Sequence, residues 1–110
     1  MDDINTTMEQ RRKAIEATLH KIDTQDMKKI GEELFPFFEH PWRDAFFNFV
    51  AENPGSTFYH AKTHDGVEIV YCREKEKGIW FMEESGRGPL LDRGLKLMKE
   101  IVDMHALLHG

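Results

Sequence analysis

The sequence predicts a single α+β domain over residues 1–110, with helices first, then a three-stranded antiparallel meander, and a long final helix packed on the sheet. Three observations predict this fold class. Apolar residues in the first half recur at steps of three and four, which is typical of helices that bury one face. From Thr57 the period changes to two, as in strands, around the hairpin signal Asp65-Gly66. The helical period returns after Pro89.

Helices are predicted over residues 6–22, 23–39 and 41–52. Thr6 and Glu9 fit a capping box at the start of the first helix. Asp23 or Thr24 can cap the second, which can end near residue 34 as readily as near residue 39, because Pro36 lacks an amide. Pro41 suits the first turn of the third helix, and the turn residues 53–56 end it.

Strands are predicted over residues 57–63, 67–73 and 79–83, with a charged turn at 74–78 and a glycine-bearing loop at 84–88. A two-residue loop at Asp65-Gly66 would place Lys62 opposite Ile69 and His60 opposite Tyr71. Both faces of this meander carry apolar residues. We therefore expect helices to cover one face, and either more helix or a second subunit to cover the other.

Composition excludes several classes of function. The formal net charge of -5 repels phosphate backbones, so we expect no nucleic-acid partner. No apolar stretch approaches the roughly 20 residues of a membrane helix, so we expect no membrane partner. The lone Cys72 cannot form an internal disulfide, and the first residues lack a signal-peptide pattern. These features predict a cytoplasmic protein.

The segment Ser85-Gly86-Arg87-Gly88 is the strongest local candidate for a binding site. Glycines allow a close backbone approach, Arg87 could bind an anion, and the last helix is predicted to start at Pro89 with its unpaired amides. Tyr71 and Trp80 would line the same cleft. The spacing matches neither a P-loop nor a dinucleotide fingerprint, and a tight turn that needs glycine for its geometry explains the segment equally.

No other set of reactive side chains has the sequence spacing of a known catalytic or metal site. His105 and His109 have the i, i+4 spacing of metal ligands, but no carboxylate or thiolate accompanies them in a known pattern. In the predicted register, His60 and Cys72 lie on opposite faces of the sheet, so they do not form a nucleophile pair. We expect Cys72 to pack as a small buried hydrophobe. We expect no catalytic residue, no metal site and no cofactor.

Aromatic residues are denser in residues 35–49 than one helix face can bury. Together with the two-sided apolar sheet, this predicts a non-catalytic cytoplasmic interaction or regulatory module, which forms a homodimer or binds another protein. The alternative is a small-molecule binding protein or small enzyme that holds an anionic ligand at residues 85–88.

Overall fold

The computed structural model describes residues 3–22, 41–82 and 86–109. In these residues the chain forms three helices and a five-stranded antiparallel sheet, which confirms the α+β class. The helices are α1 (Asp3–Thr18), α2 (Pro41–Glu52) and α3 (Asp92–His109). The strands are β1 (His20–Lys21), β2 (Phe58–Lys62), β3 (Glu68–Cys72), β4 (Lys77–Met82) and β5 (Gly86–Pro89). The helix predicted over residues 23–39 lies outside the described residues.

The sheet has the strand order β1-β2-β3-β4-β5, so the predicted meander is its centre and the prediction of only three strands was wrong. At one edge, residues expected at the end of the first helix form β1, where His20 pairs with His60. The helix runs from Asp3 to Thr18, not over residues 6–22. It ends where the Thr18 hydroxyl accepts a hydrogen bond from the Lys62 amide at 2.7 Å, which ties the chain to the end of β2.

At the other edge, the expected glycine loop pairs with β4 as β5. Gly88 makes this pairing possible, because a Cβ atom there would lie 3.0–3.1 Å from the Trp80 indole. Pro89 is tolerated because an edge strand need not donate every amide. The Leu90 amide then donates to the Gly78 carbonyl at 2.8 Å. The last helix consequently begins at Asp92, so the predicted start at Pro89 was three residues too early.

The β2–β3 hairpin has a three-residue loop instead of the predicted two-residue loop. The Thr63 amide donates to the Val67 carbonyl at 2.9 Å, and the Gly66 amide donates to the Thr63 carbonyl at 3.1 Å. Gly66 has a φ of 87°, the left-handed conformation that closes a type I turn with a glycine bulge. The extra loop residue shifts the register of the two strands by one.

The shift changes every predicted cross-strand pair. Ala61 lies opposite Ile69, where Lys62 was expected, and His60 lies opposite Val70 instead of Tyr71. A shift of one residue on one strand changes which of its side chains share a face with the neighbouring strand. The predicted placement of His60 on the face opposite Cys72 was therefore wrong, and the two side chains lie on the same face.

Helices cover both faces of the sheet. On one face, α1 and α3 pack on the alternate residues of β2 and β3, forming a buried cluster of Ile15, Leu19, Tyr59, Ala61, Ile69, Tyr71, Met98, Ile101 and Val102. On the other face, α2 packs over a second cluster of Ile22, Phe46, Phe49, Phe58, Val70, Cys72 and Phe81. We expected either more helix or a second subunit on the second face, and in the described residues helix α2 covers it.

The prediction for helix α2 was correct at both ends. It starts at Pro41 and ends at Glu52, just before the turn residues. Asn53 is 1% exposed, and its side-chain amide donates to the Phe49 carbonyl at 2.8 Å. This bond satisfies a carbonyl at the end of the helix that has no partner in the next turn.

Replacing Gly66 by alanine should destabilise the protein, because a left-handed conformation costs an L-residue about 1–2 kcal/mol. We expect Gly66→Ala to lower the free energy of unfolding by about that amount in urea titrations. His64→Ala changes an exposed residue of the same loop and is the control. Equal stability of Gly66→Ala and the wild type would contradict the bulged hairpin.

Candidate functional site

The residues predicted to bind an anion are spread over β5 and its neighbours. Ser85 lies outside the described residues. Gly86 has a φ of 89° and pairs with Met82, and Gly88 pairs with Trp80. Both glycines therefore have a structural role, either in backbone conformation or in close packing.

Arg87 is not brought together with the two aromatic residues. It lies opposite Phe81 and is exposed, so it is on the α2 face of the sheet. Trp80 packs at the edge of the α1/α3 face, and Tyr71 is 1% exposed within that core. Asp92 in the first turn of α3 adds a negative charge where the predicted anion would approach. Anion binding at residues 85–88 stays a prediction.

The structure instead exposes large apolar side chains on the C-terminal half of α3. Met104, Leu107 and Leu108 are 56%, 78% and 70% exposed, although the spacing of apolar residues along the last helix predicts that Leu108 lies on its buried side. Beside them runs a groove of about 250 Å³, lined by Glu16, Leu19, Ile101, Met104, His105, Leu108 and His109. We call these three exposed side chains and the groove the α3 patch. The i, i+3, i+4 spacing of the three apolar residues was the available sequence signal.

Two histidines form one wall of the α3 patch. The rings of His105 and His109 have centroids 4.5 Å apart, and the Tyr59 ring meets the His105 ring edge-on at 5.8 Å. The Nδ1 atom of His105 is buried and has no hydrogen-bond partner among the residues that the structure describes. Burial, followed by the proximity of His109, lowers the pKa of His105 below its usual 6.5. The groove therefore favours the neutral form of the His105 imidazole and an apolar occupant.

A second histidine cluster lies near the β1 edge, on the α2 face. The Nε2 atom of His60 is 3.6 Å from Oε1 of Glu68, and the His20 ring meets the His60 ring edge-on at 5.1 Å. Cys72 is on the same face but is 0% exposed within the core. Its thiol is therefore inaccessible to a substrate, as expected of a buried hydrophobe.

The depressed pKa of His105 makes stability depend on pH in a defined direction. Between the folded-state pKa and 6.5 the unfolded chain binds more protons, so stability falls as the pH decreases through this range. We expect the thermal midpoint to fall when the pH is lowered from about 7.5 to about 5.5, and His105→Gln to reduce that fall.

His64→Gln is the matched control, because His64 is exposed in the hairpin loop. It should leave the fall in the thermal midpoint in place. An identical pH dependence in His105→Gln and the wild type would show that the buried imidazole does not contribute.

Other classes of site lack support in the described parts of the chain. No helix there is long and apolar enough to cross a membrane. No cluster of three or more His, Cys, Asp or Glu side chains in residues 3–22, 41–82 and 86–109 is arranged to hold a metal ion. Comparison with protein-family models found no match, and comparisons with curated proteins and with solved structures found none either.

Proposed function

We propose that this protein is a non-catalytic interaction module that self-associates as a homodimer through the α3 patch. The observation that carries the proposal is the exposure of Met104, Leu107 and Leu108 beside an apolar groove. Contiguous exposed apolar side chains are costly in water and mark interaction surfaces more often than isolated ones do. Leu91, which is 74% exposed, lies just before the first residue of α3 and does not line the groove.

A second copy of the chain suits this surface because the patch is self-complementary. A two-fold interface brings the same patch of both subunits together, so each patch needs both a projection and a depression. Leu107 and Leu108 project, and the groove beside Met104 can receive the partner's leucines. Glu16 and His109 line the same groove, so a two-fold axis can bring the carboxylate of one copy towards an imidazole of the other.

The area that the proposed interface must bury can be compared with that of known dimers. A specific dimer buries about 1,200 Å² or more in total. Three side chains per copy do not supply this area, so the proposed interface extends over the adjoining ends of α1 and α3. This extension includes Leu19 and Ile101, whose edges line the groove.

We further propose that the module works in the cytoplasm. Cys72 is the chain's only cysteine, and it is fully buried. A domain whose stability comes from two apolar clusters and not from disulfides suits a reducing compartment.

Self-association is tested by light scattering coupled to size-exclusion chromatography. The wild type is expected at twice its chain mass at micromolar concentration, and Leu107→Glu/Leu108→Glu at the mass of one chain, because charged side chains cannot be buried unpaired in a dimer. Leu91→Glu is the matched control and should remain dimeric, since it changes an equally exposed leucine outside the patch. Circular dichroism checks that each variant is folded.

A wild type of single-chain mass at micromolar concentration would contradict the proposal. So would dimers of equal stability in the wild type and in the folded double variant, since the patch would then lie outside the interface.

A further inference from the structure

A second depression lies between the N-terminal halves of α1 and α3, at the end of this helix pair opposite the α3 patch. It is a cleft of about 540 Å³, within the size range of small-molecule sites. Its lining combines charged and apolar side chains and includes Met8, Arg12, Arg93, Lys96, Leu97 and Glu100. We call it the cationic cleft.

The charges around the cationic cleft do not cancel. Arg12 is neutralised, since its guanidinium lies 2.7 Å from Glu100 and 3.5 Å from Glu16. Arg93 and Lys96, in contrast, form no ion pair with any residue that the structure describes. Two neighbouring cations on one turn of α3 therefore face the cleft, in a chain whose formal net charge is -5.

An apolar chamber adjoins the cleft. It has a volume of about 180 Å³ and lies beneath α3, against the sheet. Its walls include Ile69, Trp80, Leu90 and Met98, and Leu97 lines both the chamber and the cleft. The Arg11–Asp65 ion pair, at 3.7 Å, is part of the chamber's boundary. The charged cleft and the apolar chamber thus meet at one side chain.

We infer that the cationic cleft and the chamber form one binding site for a short-chain aliphatic carboxylate. Arg93 and Lys96 bind the carboxylate by charge-assisted hydrogen bonds, and the alkyl chain passes Leu97 into the chamber. The cleft lining carries one net positive charge, because its three cations outnumber the carboxylates of Glu9 and Glu100, and this charge balances a monocarboxylate and not a dianionic phosphate or a polyanion. The site is separate from the α3 patch and does not depend on dimer formation.

The test uses Trp80 as the reporter, since it lines the chamber. The chain has two tryptophans, so Trp42→Phe leaves Trp80 as the only one. Its fluorescence is followed during titration with octanoate, with 1-octanol as the neutral analogue and with acetate as the anion that lacks a chain. We expect a saturable change with octanoate, and binding of the other two that is at least about tenfold weaker, since each lacks one half of the recognised chemistry.

Charge-reversal variants separate specific recognition from general attraction. In the same background, Arg93→Glu/Lys96→Glu should weaken octanoate binding by about tenfold or more. Lys21→Glu/Lys75→Glu makes the same change in net charge at exposed positions outside the cleft and should bind as the parent does. If the first variant does not fold, Arg93→Gln/Lys96→Gln replaces it, because it adds no negative charge.

Three results would overturn the inference. They are the absence of a saturable response to octanoate, equal binding of acetate or 1-octanol, and equal loss of octanoate binding in the two double variants.

Discussion

The central strands of this protein are apolar on both sides, and the rest of the architecture depends on covering them. In β3, Ile69 and Tyr71 face α1 and α3, while Val70 and Cys72 face α2, and all four are at most 5% exposed. A strand of this kind cannot face water on either side of the sheet. It therefore requires a covering on both faces, which the helices supply in the three-layer arrangement observed.

The packing of α1 against α3 leaves two depressions open at the surface of the protein. The two helices run in the same direction, since residues 8–12 of α1 and 93–100 of α3 line one depression and residues 16–19 and 101–109 line the other. Between these depressions they are joined by the Arg12–Glu100 ion pair, whose side chains are 39% and 51% exposed. An exposed pair of this kind contributes about 0–1 kcal/mol, so the apolar packing of both helices on the sheet, and not this ion pair, holds them in place. The α3 patch and the cationic cleft both result from this incomplete closure.

Sequence patterns predicted the elements whose signals are local. Pro41 and the turn after Glu52 set the limits of α2, and the glycine at position 66 marked the hairpin. The edge strands could not be predicted in this way, because β5 consists of Gly-Arg-Gly-Pro, a composition that disfavours strands, and pairs only because β4 is beside it. The register was off by one residue because an Asp-Gly pair fits loops of two and of three residues.

The candidate sites were harder to predict than the fold. The apolar period of α3 continues through Leu108, so the sequence alone does not reveal that the last turns extend past the core and leave Met104 and Leu107 exposed. The cationic cleft combines residues that lie far apart in the sequence, such as Arg12 and Glu100 at a separation of 88 positions, and no local pattern links them. Whether a side chain is exposed, and whether distant residues meet in one cleft, depends on where one helix ends relative to its neighbours. Those positions are set by the tertiary structure and not by local sequence.

The claim that both faces of the central strands are covered within one chain is tested most directly by nuclear Overhauser spectroscopy of the methyl and aromatic protons. The structure predicts contacts from the Val70 methyl groups to the rings of α2 on one face, and from the Tyr71 ring to the Val102 methyl groups on the other. Contacts of Val70 and Tyr71 with the same helix, or Val70 methyl groups accessible to a paramagnetic probe in water, would contradict the three-layer account.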